Sequence, residues 1–332
     1  MSTTKILITG ATGYIGGSVL ANLLQFTDHN IKTCQISTLV RKQDQANALN
    51  IKGVNAIVLS GLDETALIRD VASKHDVVIN TASASHSPAA EALILGLADR
   101  KKETGKETHF IHTSGTSSLG EVPVNGAIAE TRVLSDKEDI YTYERYREDR
   151  EQYQQRNTDL FVFDRGEAAN VKTYIIMSPT IYGLGSGLFN TTSIQIDTII
   201  RAARRDGDLV DLYELVLSRL LARDDLPSNK QGMYFNETEH HSWREISERV
   251  AKEGQALRHL KSDKVHELSL EEAIAKFGKT IPPAAIQLSF ASRSRTRADL
   301  AREIGWKPKK TRQDFEASFV EEWKILVKQS QD

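Results

Sequence analysis

Gly10, Gly13 and Gly16 lie between an apolar run, Ile6-Leu7-Ile8-Thr9, and a stretch of helical periodicity that opens at Ser18. Three glycines so placed, between a buried strand and a helix, suit the holding of a pyrophosphate. Gly10 permits a tight turn, Gly13 lets the backbone approach the phosphates, and Gly16 allows the helix to pack close to the sheet. The unpaired amides and positive dipole end of that helix then face the anion. Gly10, Thr12, Gly13, Tyr14, Ile15 and Gly16 therefore form the first candidate site. The competing reading is a glycine-rich turn without a ligand.

A second candidate follows the next β-branched run. An acidic residue there accepts hydrogen bonds from ribose hydroxyls and repels a 2′-phosphate. This chain has Thr38-Leu39-Val40-Arg41-Lys42 instead. Arg41 and Lys42 are suited to a phosphate, so NADP is the expected cofactor and NAD the alternative. Two ordinary surface cations are the plainer account.

The elements that must position these groups follow from periodicity. Short apolar runs at Lys5 to Thr9, Gln35 to Val40, Ala56 to Leu59, Val77 to Asn80, His109 to Thr113 and Thr173 to Met177 are predicted strands. The segments between them read as crossover helices, which gives an α/β chain with a Rossmann-type doubly wound parallel sheet. Beyond residue 180 the pattern turns mostly helical, so 1–180 is expected as the nucleotide-binding domain and 181–332 as a smaller helical substrate lobe, with elements free to interleave. Asp208 to Leu221 carries an amphipathic stripe. A last helix is predicted from Arg297 to Ile304, with Ser294 or Thr296 as N-cap and Gly305 as its stop. The polar stretch Ser135 to Asn157 reads as a solvated helix face.

Composition narrows the partners. With 43 basic and 45 acidic residues the net charge is -2, which offers no footprint for nucleic acid and no polybasic anchor for a membrane. Cys34 is the only cysteine, so an intrachain disulfide and a thiolate-rich metal site are excluded. His240 and His241 are adjacent and diverge, and no metal site is expected. The polar start of the chain has no leader-like pattern, and no apolar window nears the roughly 20 residues that span a bilayer. A soluble cytoplasmic protein acting on a small molecule is expected.

The run Thr9-Gly10-Ala11-Thr12-Gly13-Tyr14-Ile15-Gly16 resembles the nucleotide-binding signature of the extended and atypical short-chain dehydrogenase/reductase superfamily, and later segments agree along nearly the whole chain. By that resemblance Asp63 contacts adenine, Thr81 and Ala82 of Asn80-Thr81-Ala82-Ser83 line the cofactor, and Pro179 and Thr180 of Ser178-Pro179-Thr180-Ile181-Tyr182-Gly183 lie beside the nicotinamide. The superfamily's dehydrogenases use a Tyr as general acid/base, a Lys four residues later and a Ser or Thr that orients the substrate oxygen. No YxxxK occurs here. The nearest pairs are Tyr141 with Arg145, Tyr143 with Arg147 and Tyr146 with Arg150. Tyr146 stands 33 residues before Pro179, about the superfamily's separation, so Tyr146 with Arg150 is the expected donor pair, against the plain reading of a solvated helix. Ser114 or Thr116 is the expected hydroxyl, or else serves the backbone at a strand end. The strand that relatives usually carry between the helix ending near Arg205-Asp206-Gly207 and Asp208 is missing.

The resemblance implies an atypical NADP-binding oxidoreductase that reduces a carbonyl or related group of a small organic molecule. Two alternatives stand beside it: a dinucleotide-sensing regulator similar to NmrA-like proteins, and a redox-neutral isomerase, epimerase or cyclase. Relatives often dimerise through a helical face, so a homodimer is an expectation too. His86, at the carboxyl end of the predicted sheet, is a substrate candidate or a helix-entry residue. Arg293, Arg295 and Arg297 are anion candidates or surface ion pairs.

Overall fold

The β-branched runs pair in parallel because helices carry the chain back across the sheet between them. The computed structural model describes residues 3–120, 130–182, 185–191, 208–277, 283–290 and 292–329. In chain order these hold β1 (Lys5–Thr9), α1 (Tyr14–Gln25), α2 (His29–Lys32), β2 (Gln35–Val40), α3 (Gln43–Asn50), β3 (Asn55–Val58), α4 (Thr65–Ala72), β4 (Val77–Asn80), α5 (Ser87–Thr104) and β5 (His109–Gly115). There follow β6 (Leu134–Ser135), α6 (Ile140–Glu148), α7 (Gln154–Ala169), β7 (Lys172–Ser178), α8 (Asp208–Leu221), β8 (Met233–Phe235), α9 (Trp243–Ala256), α10 (Leu270–Phe277), α11 (Pro283–Phe290), β9 (Thr296–Arg297), α12 (Asp299–Glu303) and α13 (Arg312–Gln329).

Seven strands form one sheet in the order β3-β2-β1-β4-β5-β7-β8, every pair parallel. Helix α1, with α8 against it, lies on one face, and α4, α5 and α7 lie on the other. This is the doubly wound Rossmann-type arrangement. Strand order reverses between β1 and β4, and the crevice outside their carboxyl ends is where such sheets bind ligands. Ile6, Leu7 and Ile8 of β1, Val78 and Ile79 of β4, and Ile175 to Met177 of β7 are fully buried. Burial on both faces is why these strands show no alternation.

The stripe of α8 (Leu209, Leu212, Tyr213, Val216 and Leu217) enters the same core, as do Tyr234 of β8 and Trp306. Elements from beyond residue 180 thus complete the sheet and its cover. A smaller core of Ile246, Val250, Phe315, Phe319 and Trp323 joins α9 to α13. No helix among the described residues is long and apolar enough to cross a membrane.

Two local expectations are corrected. Helix α12 starts at Asp299 rather than Arg297 because Thr296 and Arg297 pair with Leu134 and Ser135. Neither Ser294 nor Thr296 caps it, since the N-cap is Ala298 and gives no side-chain bond. Asp136 does that work from another segment, its Oδ1 accepting the Leu300 N–H at 2.6 Å and its Oδ2 the Ala301 N–H at 3.2 Å. The same carboxylate accepts the Phe235 N–H at 3.1 Å, so one buried side chain ties β6, β8 and α12 together. Gly305, at φ 105°, ends α12 as expected. The helix end expected near Arg205-Asp206-Gly207 lies outside the described residues.

Candidate functional site

The glycine turn is built as its spacing requires. Gly10 has a φ of 74°, and a Cβ there would sit 2.7 Å from the Ala82 nitrogen. A Cβ on Gly16 would collide with Thr81 Oγ1 and the Gly10 carbonyl. Thr81 holds this seam by donating to the Thr9 carbonyl at 2.7 Å. Gly13 is the N-cap of α1, with no side-chain cap and no acidic residue in the first turn. A Cβ on Gly13 would meet only the Gly10 carbonyl, at 3.1 Å. The turn is therefore packed tight toward the sheet, and no side chain caps the amides at the dipole end of α1. A diphosphate fits this cradle.

A second glycine-bearing segment, 185–191, lies on the first turn of α1. The Ser186 N–H donates to Ser18 Oγ at 3.1 Å and the Asn190 N–H to the Thr12 carbonyl at 3.3 Å. A Cβ on Gly187 would stand 2.8 Å from Gly17, so this approach needs a glycine on each side. Gly183 lies outside the described residues.

Arg41 and Lys42 leave the carboxyl end of β2, both exposed, and among the described residues neither has a carboxylate partner. Asp63, on the loop after β3, accepts from His86 Nε2 at 3.2 Å. His86 Nδ1 accepts the Ala89 N–H at 3.1 Å and caps α5. His86 is thus the helix-entry residue of the two readings, with its proton on Nε2 facing Asp63.

The hydroxyls expected to orient a substrate are engaged internally. Ser114 Oγ donates to Asp159 Oδ2 at 2.7 Å, beside Ser118 Oγ at 2.8 Å. Thr116 Oγ1 accepts from Ser294 Oγ at 3.0 Å. Both residues are buried. Under the carboxyl ends of the strands runs a buried polar ladder. Thr9 Oγ1 donates to Asn80 Oδ1 at 2.6 Å, and Asn80 Nδ2 donates to His112 Nδ1 at 2.9 Å. His112 Nε2 then faces Asp159 Oδ1 at 3.8 Å, and neither atom has a hydrogen-bond partner among the described residues. Burial pushes the Asp159 carboxyl up to about 7 and holds the His112 imidazole down at about 4.

The stretch from Ser135 to Asn157 is not a solvated face. Glu144 and Arg147 on α6 are fully buried, and Arg156 on α7 is nearly so. Arg147 donates to the Gly120 carbonyl at 2.8 Å and the Leu119 carbonyl at 3.2 Å, and Arg156 Nε donates to the Ser118 carbonyl at 2.7 Å. Carbonyls of the turn after β5 need donors, and the guanidinium forks supply them.

The Tyr146–Arg150 pairing is also corrected. Tyr146 is 45% exposed, and the Arg150 guanidinium carbon lies 3.6 Å over the ring centroid rather than at the phenol oxygen. Arg150 also donates to the Tyr146 carbonyl at 3.0 Å. This is a surface cation–π contact, and no hydrogen bond joins Tyr146 to Ser114 or Thr116. A different tyrosine, Tyr153, lies beside a hydroxyl at the end of β5. As N-cap of α7, Tyr153 has its hydroxyl 3.2 Å from Ser117 Oγ, just beyond the end of β5. Gln155 Nε2 donates to the Gly115 carbonyl at 2.9 Å and to Ser117 Oγ at 3.2 Å. Tyr153, Ser117 and Gln155 were not anticipated. Position 157, four after Tyr153, holds Asn and not Lys, so the motif that marks such a tyrosine is absent.

Pro179 and Thr180, beyond the end of β7, line a cleft shared with Asn236 beyond β8 and with Phe315 of α13. Of the arginines before α12, Arg297 forms an exposed ion pair with Asp299 at 2.7 Å.

The NmrA-like family matches residues 2–145. A curated relative, Oxidase ucsJ of an Acremonium species, is 25% identical over 304 residues, covering 82% of this chain and 84% of that protein. Among solved structures, UDP-glucose 4-epimerase of Thermus thermophilus in complex with NAD superposes with a TM-score of 0.59 at 16% identity, covering 98% of this chain and 99% of the other. Vestitone reductase of alfalfa (Medicago sativa) gives 0.59 at 14% identity, covering 98% of each chain. At such identities the structural likeness is one of fold.

Proposed function

We propose that this chain, a member of the extended and atypical short-chain dehydrogenase/reductase superfamily, is an NADP(H)-dependent oxidoreductase that reduces a carbonyl or related group of a small organic molecule. The observation that carries the proposal is the N-terminus of α1, capped by no side chain and sealed by Gly10 and Gly16 against Thr81 and Ala82. Gly10 to Gly16 would hold the diphosphate, Arg41 and Lys42 the 2′-phosphate, and Asp63 the adenine end. Thr81, Ala82, Pro179 and Thr180 would flank the nicotinamide half. Reduced nicotinamide, when bound, supplies a hydride.

The chain's own part is to position the substrate oxygen and give it a proton. Tyr153 and Ser117 present two hydroxyls 3.2 Å apart at the end of β5, a spacing from which both reach one oxygen atom. Tyr153 gives the proton and Ser117 holds the oxygen, while Gln155 fixes Ser117. Calorimetry with NADP and NAD tests the cofactor assignment. NADP is expected to bind more tightly, and a double substitution, Arg41→Ala with Lys42→Ala, to lower NADP affinity at least tenfold while sparing NAD. Absence of binding by either coenzyme would remove the reading.

A dinucleotide-sensing role of the NmrA-like kind is the second reading, favoured by the match over residues 2–145 and by the internal engagement of Ser114 and Thr116. It predicts coenzyme binding with no turnover of any carbonyl compound.

A further inference from the structure

The cleft at the carboxyl ends of β7 and β8 has three features that together specify a ligand. Its walls are largely apolar and aromatic. Phe315 meets Tyr182 edge to face at 5.0 Å between centroids and stacks on His241 at 4.7 Å, with Leu209 also lining the space. Its cations are already matched. Arg312 pairs with Glu245 at 2.9 Å and with Glu316 at 3.3 Å, and Lys310 pairs with Asp314 at 3.3 Å. Burial holds the His241 imidazole below its ordinary value, so it adds no charge at neutrality. The third feature is Asn236, 7% exposed, whose buried Oδ1 has no hydrogen-bond partner among the described residues. Such a group costs free energy unless something satisfies it.

We infer that this cleft takes a neutral, flat organic compound, an aromatic or conjugated ring bearing a hydroxyl or amide group that pairs with Asn236. The inference rests on the reductase reading for the carbonyl that the compound also carries. A carboxylate or phosphate finds Lys310 and Arg312 already paired with carboxylates, meets a further carboxylate, Glu239, in the lining, and would be desolvated without return. A free volume of about 70 Å³ holds more than a single water but falls well short of the roughly 300 Å³ at the small end of drug-sized sites. Asn236 directly follows β8, while Pro179 and Thr180 follow the neighbouring β7, so a compound seated on the amide lies beside the two residues proposed to flank the nicotinamide.

Two probes of one skeleton test this on the full chain: 4-(hydroxymethyl)acetophenone, which is neutral, and 4-acetylbenzoate, which is anionic. Binding is read by ligand-observed magnetic resonance with and without NADPH, and coenzyme binding is measured separately on the same samples. The neutral ketone is expected to bind at least tenfold more tightly than the carboxylate. Asn236→Ala should weaken the neutral ketone about tenfold, and Phe315→Leu should also weaken it, with coenzyme affinity unchanged in both. Equal binding of the carboxylate, indifference to both substitutions, or no binding of the neutral ketone to protein that binds NADPH overturns the inference. Binding of the neutral ketone by protein that takes up neither coenzyme upholds the cleft and removes the reductase reading alone.

Discussion

At the scale of single residues, the proposed chemistry gives the proton donor's part to Tyr153 rather than to Tyr146. The two make opposite predictions. Tyr153→Phe removes the hydroxyl beside Ser117 and is expected to lower kcat with a carbonyl substrate by roughly 10²- to 10⁴-fold, the usual worth of a positioned proton donor, while coenzyme affinity holds. Tyr146→Phe keeps the ring under Arg150 and should leave turnover unchanged. Steady-state kinetics on both variants decides between them, and a reversed pattern would restore Tyr146. Asp159 makes a second prediction, of pH dependence. It is faced by His112 of β5, Glu144 of α6 and Arg156 of its own helix α7, with Arg147 and Glu148 nearby. Burial raises its carboxyl from the ordinary range to about 7, so between those values the folded chain keeps a proton that the unfolded chain has lost. Stability then falls as pH rises through that interval, by up to about 1.4 kcal/mol per pH unit. Burial also raises the Glu144 carboxyl beside it, so Asp159→Asn should lessen that slope without abolishing it and exceed the parent in stability above neutrality, as read by urea unfolding across pH; a slope identical to the parent's would show that Asp159 is ionised throughout. The glycine turn was legible because only glycine fits its geometry. Glu144 and Arg147 were not legible, although they share an i, i+3 face leading back to Ile140, because charged residues at helical spacing read as solvent-facing until the carbonyls they serve are known.

At the scale of elements, strands buried on both faces were readable almost to the residue. The bounds of β1, β2 and β4 are as predicted, whereas β8 and the β6–β9 pair are too short to leave a periodic signal. Their register comes from tertiary contacts, above all Asp136. Three backbone N–H groups, of Phe235, Leu300 and Ala301, depend on that one carboxylate. Asp136→Ala orphans them in a buried setting and should destabilise the fold by about 3 kcal/mol in denaturant unfolding; a loss below about 0.5 kcal/mol would mean that water replaces the carboxylate freely. For α1 the seam with β4 sets the limit. Gly16→Ala drives a methyl into Thr81 Oγ1 and the Gly10 carbonyl, so the helix must shift from the sheet and carry its first-turn amides with it. The expected result is at least a tenfold loss of coenzyme affinity, with a stability loss of about 1–3 kcal/mol. Full coenzyme affinity in that variant would show that the turn is not the diphosphate cradle.

At the scale of the whole molecule, the boundary expected at residue 180 cuts through the main core, while the smaller core of α9 and α13 lies wholly beyond it. Strand β8 completes the sheet beside β7, α8 covers α1, and Trp306 packs with residues of the first half. A fragment of residues 1–180 would expose the apolar face that Leu212, Tyr213, Val216 and Leu217 now cover, at roughly 1.5–3 kcal/mol for each large side chain left without its partners. The total is comparable to the whole stability of a domain, so we propose that the fragment fails to unfold cooperatively while the full chain melts in one transition. If the chain binds coenzyme as proposed, the same interleaving makes that coenzyme a stabiliser of the entire chain. Segment 185–191 rests on the first turn of α1, so a ligand held by that turn acts on both halves at once. At a hundredfold excess over Kd, NADPH should add about 2.7 kcal/mol by mass action and raise the single Tm without splitting it. Two transitions, of which only the first responds to NADPH, would instead establish residues 181–332 as a separate folding unit and place the nucleotide site wholly within the first.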